Sequence, residues 1–231
     1  MLDLLKFSEL LISGRRVNIL GFWGIEKGIF IKRFFSMPYS IPTNQEFNDE
    51  IFGKIRRNYL FGEISLRKKP EFFHLELPSP ILRKGKLAYH SERRRLIRRA
   101  EERVEKISIS REDKETVLKI FHESAKRRGR KIPKGISKVF ELEGVEVIKV
   151  YVGELVGAIM NLALEDRYLL WQIGWKNYNF LPTYLLHLSI ERGFSLGYDV
   201  VDFGITTSER AMKVKEEMGC EIESVYIVKF P

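Results

Sequence analysis

Between Val145 and Trp175 the chain carries three β-rich runs in succession: Val145–Val152, Leu155–Leu164 and Tyr168–Trp175. Only Gly153-Glu154 and a short turn at Glu165-Asp166 separate them. Links this short leave no room for a crossover helix, so the three runs must pair as antiparallel neighbours. A helix opening at Pro182 and ending at Gly197 follows, then a strand Tyr198–Gly204, a helix carrying Val214-Lys215 that stops at Gly219, and a closing strand Ile222–Phe230. An antiparallel meander that feeds a β-α-β crossover predicts an α+β protein, with a mixed sheet flanked by helices.

Upstream the pattern is less regular. The runs Arg16–Gly21 and Gly28–Phe35 predict a hairpin around a glycine-containing turn, and Met37–Asn44, with two prolines, predicts a loop. Ile51, Phe52, Ile55 and Tyr59 fall at helical spacing, closed by Gly62. Glu63–Leu66 and Phe72–Leu77 read as strands, and Pro78-Ser79-Pro80 as the end of a first lobe. Ser91 is placed to cap a helix reaching about Lys106 that buries Leu96, Ile97, Ala100 and Val104. Ser110 and Asp113 have the spacing of a capping box for a second helix ending at Gly129.

The formal charge of +9 favours polyanionic partners: a nucleotide, nucleic acid or an anionic surface. The excess concentrates in Arg93, Arg94, Arg95, Arg98, Arg99 and Arg103, and in Arg127, Arg128, Arg130 and Lys131. Of these, Arg93, Arg94, Arg98, Arg127, Arg128, Arg130 and Lys131 are the candidate phosphate- or nucleic-acid-binding residues; a solvated helix face is the plainer alternative. A single cysteine excludes an internal disulfide, and four scattered histidines give no metal-ligand spacing, so no metal is expected. The N-terminal segment is broken by charges and does not have the form of a signal peptide. No apolar run reaches the ~20 residues of a membrane span. A cytoplasmic location is the expectation.

Chemistry concentrates at the crossover. First-turn amides of the helix opening at Pro182 lack intrahelical partners and would accept phosphate, although Lys176–Leu181 contains no glycine. Asp202, at the end of its strand, either takes a proton from an amine or caps the next helix, and capping is the commoner role. Trp171, Trp175 and Tyr178 offer stacking surfaces or belong to the core.

The order Pro182-x-Tyr184-Leu185-Leu186, Gly197-Tyr198-Asp199, Asp202-Phe203-Gly204 and Val214-Lys215-x-x-Met218-Gly219 resembles the C-terminal module of the FemAB-like branch of the GNAT acyltransferases. Arg93–Ala100 looks like the helix that precedes this module. The resemblance covers roughly residues 90–231 and is only topological before that. Val214 stands where phenylalanine is usual, and Ile205-Thr206-Thr207 lacks the usual extra glycines.

The resemblance implies a tandem-GNAT architecture with a shortened N-terminal lobe over 1–80, a basic connecting helix over 81–109 and an acyltransferase domain over 110–231. It implies an N-acyltransferase whose donor is acyl-CoA or aminoacyl-tRNA and whose acceptor is an amine; the short chain inclines toward acyl-CoA. Asp202 and Lys215 are then the catalytic candidates, Lys215 lying near the acyl linkage or a phosphate. Trp175, Asn177, Pro182, Thr183, Tyr184, Gly204, Thr206 and Thr207 are the donor-binding candidates. A non-catalytic GNAT-like protein that holds an anionic ligand or nucleic acid is the other class. A side-chain-filled cleft beside Tyr168–Trp175 would favour it; a splayed strand pair with unpaired amides would favour the enzyme.

Overall fold

The computed structural model describes residues 1–29, 32–36 and 42–230. Among them run α1 (Leu4–Ile12), β1 (Arg15–Ile19), β2 (Phe22–Lys27), β3 (Arg33–Phe35), α2 (Asp49–Asn58), β4 (Phe61–Leu66) and β5 (Leu75–Arg83). Next come α3 (Ser91–Glu101), β6 (Lys106–Ile109), α4 (Lys114–Arg127), α5 (Ile136–Val139), β7 (Val145–Val152), β8 (Glu154–Ala163) and β9 (Tyr168–Trp175). The chain closes with α6 (Leu181–Ser195), β10 (Val200–Asp202), α7 (Glu209–Glu216) and β11 (Glu221–Phe230).

All the strands join one mixed sheet in the order β1-β2-β3-β4-β11-β5-β10-β9-β8-β7-β6. The meander β7-β8-β9 is antiparallel and β10 returns parallel to β9, as the sequence predicts. The last strand does not lie at an edge. β11 sits between β4 and β5, antiparallel to both.

Helices cover both faces. One core layer gathers Phe7, Val117, Phe121 and Phe140 from α1, α4 and the α5 region against β7–β9. The opposite layer packs Leu96, Ile97 and Ala100 of α3 and Leu181, Leu185 and Ile190 of α6 against Ile148, Val150, Ile159 and Val201. A third cluster, with Phe34, Ile55, Ile64 and Phe230, fills the β1–β4 end under α2.

Several boundaries differ from those the sequence predicts. Residues 22–27 form β2 rather than a turn, because Leu20 and Gly21 both take positive φ (53° and 85°) and close a two-residue hairpin. Asn18 Oδ1 accepts the Gly21 N–H at 3.0 Å, which supports leucine where glycine or asparagine is usual. Phe30 and Ile31 of the expected hairpin run, and Met37–Ile41 of the expected loop, lie outside the described residues. Gly62 lies within β4, not at a helix end: a Cβ there would meet the Phe230 ring and the Phe34 carbonyl.

Pro78-Ser79-Pro80 is likewise internal to β5. Pro78 and Pro80 offer their carbonyls to Thr206 N–H and Phe203 N–H, so their nitrogens face an irregular segment that asks for no donor. α3 ends at Glu101, and Lys106–Ile109 is an edge strand on β7 instead of the continuation of a connecting helix. Ser91 is the first residue of α3, and its cap position, His90, makes no side-chain bond. The Ser110/Asp113 capping box is absent: Asp113, at φ 57°, accepts instead from Lys149 Nζ (3.1 Å) and Tyr151 Oη (3.2 Å).

Candidate functional site

β9 and β10 diverge. Their ladder covers only Val201↔Tyr168 and Asp202↔Leu169, whereas β8 accompanies β9 as far as Trp175. Beyond Asp202 the chain turns at Gly204 (φ 68°) and follows β5, through Phe203 N–H to Pro80 O (3.0 Å) and Thr206 N–H to Pro78 O (2.9 Å). Among the described residues, the far half of β9 therefore has no strand partner on that side. Lys176 N–H bonds back to Val156 O, so by strand alternation the main-chain groups of Ile173 and Trp175 face the opening. Their carbonyls are occupied by the end of α4: Arg128 Nη2 donates to Ile173 O at 2.8 Å and Arg127 Nη2 to Trp175 O. Arg128 also lies over the Trp175 ring, 4.7 Å from its centroid. Gly174 makes this approach feasible, since a Cβ there would stand 2.8 Å from the Phe121 ring of α4.

Asp202 is 1 % exposed. Its Oδ1 accepts from Gly204 N–H (2.7 Å) and Ser79 Oγ (3.2 Å), its Oδ2 from Arg67 Nη2 (2.6 Å) and Arg167 Nη1 (3.4 Å). Four donors leave neither oxygen turned toward open space. Nearby, Lys215 Nζ of α7 donates to Phe203 O (3.2 Å) and to Thr206 Oγ1, and lies over the Phe203 ring. Burial pushes the Lys215 ammonium down to about 8; Cys220 and Asp202 oppose that and Arg130 adds to it. Burial in turn raises the Cys220 thiol to about 12, with Lys215 acting in the lowering direction.

The start of α6 is joined to this region through Arg93, whose Nη1 donates to Thr183 Oγ1 (3.1 Å) while Nε lies 2.9 Å from Glu217 Oε2 beyond α7. Arg93 thus spans three helices and is no free phosphate ligand. Pro182 is half-buried in the first turn of α6, Thr183 is buried, and Tyr184 is buried in the core beside His187. Asn177 and Thr207 are exposed, and Trp175 is half-buried under Arg128. The structure therefore gathers Lys215, Thr206, Gly204 and Asp202 at the end of β10, and Trp175, Arg127 and Arg128 at the end of β9. Arg130 reaches Lys215 electrostatically, and Lys131 is exposed next to it in the chain.

Arg94, Arg95, Arg98, Arg99 and Arg103 form a separate surface. All are exposed, and among the described residues none has an ion pair or side-chain hydrogen bond. With Ser91 and Glu102 they line a groove of about 670 Å³. Arg67, Arg167 and Ser79 are the site residues that the sequence pattern does not single out. No local spacing points to them; only the sheet order brings them to Asp202.

No family model matches the sequence, and no curated protein matches it. Solved structures do match its fold. L-PGS from Bacillus licheniformis superposes with a TM-score of 0.69 at 11% identity, over 99% of this chain and 87% of that one. FemX superposes with a TM-score of 0.64 at 12% identity, over 95% and 90%. The C-terminal domain of a provisionally assigned lysylphosphatidylglycerol synthetase from Agrobacterium fabrum gives 0.64 at 8% identity, over 95% and 84%. The chain has a GNAT/FemAB-like fold, an α+β mixed sheet flanked by helices. Among the described residues no helix is long and apolar enough to cross a membrane, and no group of three or more His, Cys, Asp or Glu is placed to hold a metal ion.

Proposed function

We propose that this chain is an aminoacyltransferase of FemAB type, which moves an aminoacyl group from a charged tRNA to an amine. The observation that carries this reading is the row of five exposed, unpaired arginines on α3 and just beyond it, joined to the α6 start and the end of α7 by Arg93. An exposed guanidinium with no carboxylate partner is available to a phosphate, and a row of them suits a polynucleotide backbone better than one small ligand. The neighbour provisionally described as a lysylphosphatidylglycerol synthetase supports the aminoacyl half of this reading and not the amine half, since by its name it joins a lysyl group to a phosphatidylglycerol, which offers hydroxyls and no amine.

In the reaction the amine nitrogen attacks the ester carbonyl. The new C–N bond forms as the ester C–O bond breaks, the amine gives up a proton, and the departing tRNA hydroxyl gains one. Lys215, an ammonium at neutral pH, is suited to hold the negative charge that develops on the carbonyl oxygen, or a terminal phosphate of the donor. Asp202 has both oxygens committed, so its role is to fix the turn that carries Phe203 O and Thr206 Oγ1. Holding donor and acceptor together supplies much of the remaining acceleration.

A CoA thioester is the less favoured donor. The segment Lys176–Phe180 before α6 has no glycine to let a pyrophosphate approach, and Arg127 and Arg128 occupy the outward carbonyls of β9. That same occupation favours a second reading, a non-catalytic protein that binds anions. The discriminating experiment measures binding and transfer with a pool of charged tRNAs and with CoA thioesters at low salt, in the natural chain and in Lys215→Met. We expect charged tRNA to bind and react, and Lys215→Met to lower transfer by roughly a hundredfold. Binding without transfer would select the anion-binding protein, and a response to CoA thioesters alone would move the donor to CoA.

A further inference from the structure

A connected run of polar contacts reaches Lys215 from the N-terminal part of the chain. Arg67, directly after β4, is a side chain only 9% exposed, and its Nη2 lies 2.6 Å from Asp202 Oδ2. Arg167, 10% exposed, approaches the same oxygen at 3.4 Å. Asp202 Oδ1 takes the Gly204 N–H, and Gly204 O accepts from Thr206 Oγ1 at 3.1 Å. The Thr206 hydroxyl has one proton and gives it to Gly204 O, so toward Lys215 it can only accept, which suits an ammonium.

We propose that Arg67 is a positioning residue for Lys215: it holds Asp202, Asp202 holds the turn after β10, and that turn holds the ammonium. The proposal rests on the reading of Lys215 as the cation of the reactive centre. Stability alone does not account for the arrangement. Arg67 and Arg167 are desolvated around Asp202, with the more exposed Asp166 and Glu223 pairing at the margin. A buried ion-pair cluster of this kind contributes little net stability, and an apolar cluster of similar volume would serve as well. Arg67 Nη1 also remains buried without a hydrogen bond, 3.6 Å from Glu223 Oε2. What the arrangement does supply is a fixed Asp202 at the point where the turn begins.

Among the described residues, three titratable groups act electrostatically on Lys215: Asp202 from the end of β10, Cys220 from the link into β11, and Arg130 from the segment after α4. Of these, only Asp202 is in contact with Arg67. Loss of Arg67 leaves the Asp202 charge less compensated and loosens the turn, which admits water. Both changes favour the protonated amine, so both raise the pH at which Lys215 loses its proton.

The test is site-resolved titration of Lys215 in the full chain. Trace labelling with acetic anhydride across pH, read by peptide mass spectrometry, needs no substrate. The natural protein should titrate near pH 8. Arg67→Met should move the midpoint up by roughly one unit or more, and Arg67→Lys, which keeps a cation, should hold it close to the natural value. Should Arg67→Met not fold, Ser79→Ala removes another Asp202 donor without leaving a charge unpaired, and it should move the midpoint the same way by less. A folded Arg67→Met or Ser79→Ala with an unchanged midpoint overturns the proposal. Full transfer activity in Lys215→Met would instead defeat the proposed function, and the labelling experiment would still report whether Arg67 and Lys215 are coupled.

Discussion

Lys215 carries a charge that burial disfavours, so its effect on stability has a definite sign. Its folded value, about 8, lies below the ordinary 10.5. Between these two values the unfolded chain binds more protons than the folded one, and stability attributable to this group rises with pH. The penalty is fully present below pH 8 and fades as pH approaches 10.5. Lys215→Met removes it. The variant should therefore gain on the natural protein at pH 7 compared with pH 10.5, by on the order of 2–3 kcal/mol in paired denaturant titrations. The difference between the ammonium's and the amine's hydrogen bonds to Phe203 O and Thr206 Oγ1 is already contained in the folded value of about 8, so only the pH-independent part of the substitution cancels. An identical pH dependence in both proteins would mean that Lys215 is well solvated. At this scale the sequence is legible where chemistry is local: Asp202, Thr206 and Lys215 fall in one short stretch whose motif order points to them. Arg67 and Ser79 are not, because 135 and 123 residues separate them from the carboxylate they bind.

α3 shows how one helix divides its arginines between two tasks. Leu96, Ile97 and Ala100 recur at helical spacing and pack toward α6, which turns Arg94, Arg95, Arg98 and Arg99 outward and leaves Arg93 at the boundary. The periodicity makes the buried face readable from sequence. Which arginine is tied down is not readable, since that depends on Thr183 and Glu217 arriving from α6 and α7. The double variant Arg94→Gln/Arg98→Gln should keep its stability within about 0.5 kcal/mol. It should also lower the salt slope of charged-tRNA binding by roughly 0.7–0.9 for each phosphate that is no longer neutralised. Arg93→Gln should do the reverse: a stability loss of about 2 kcal/mol, because two partly buried partners lose a charged donor, with little change in salt slope. Filter binding across salt and thermal unfolding separate the two. The strand at 22–27, where the sequence pattern suggests a turn, has a similar origin, since the Leu20-Gly21 turn depends on a leucine at positive φ that residue preference does not predict.

On the scale of the whole molecule, the order in which strands enter the sheet matters more than their order in the chain. β5 lies between β11 and β10, supplies Ser79 to Asp202, and gives Pro78 O and Pro80 O to the turn after β10. A cut at residue 80 would fall inside β5, and a cut at residue 109 would fall at the end of β6. The C-terminal stretch therefore borrows β4, β5 and β6 from residues before 110. Without them β11 loses both neighbours and β10 loses one, while apolar side chains such as Val225, Ile227 and Val228 are uncovered. The strand edges bared on β11, β10 and β7, beside an uncovered apolar face, favour aggregation over a stable fold. Residues 110–231 expressed alone should therefore lack a cooperative thermal transition. The full chain should unfold in one step, with Trp23 of β2 and the Trp171/Trp175 pair of β9 reporting the same midpoint when each is followed alone in tryptophan-to-phenylalanine variants. A fragment 110–231 that melts cooperatively, or two separated midpoints in the full chain, would show that the long sheet is two stability units joined at β5, and Arg67 would then reach Lys215 across a boundary that can open.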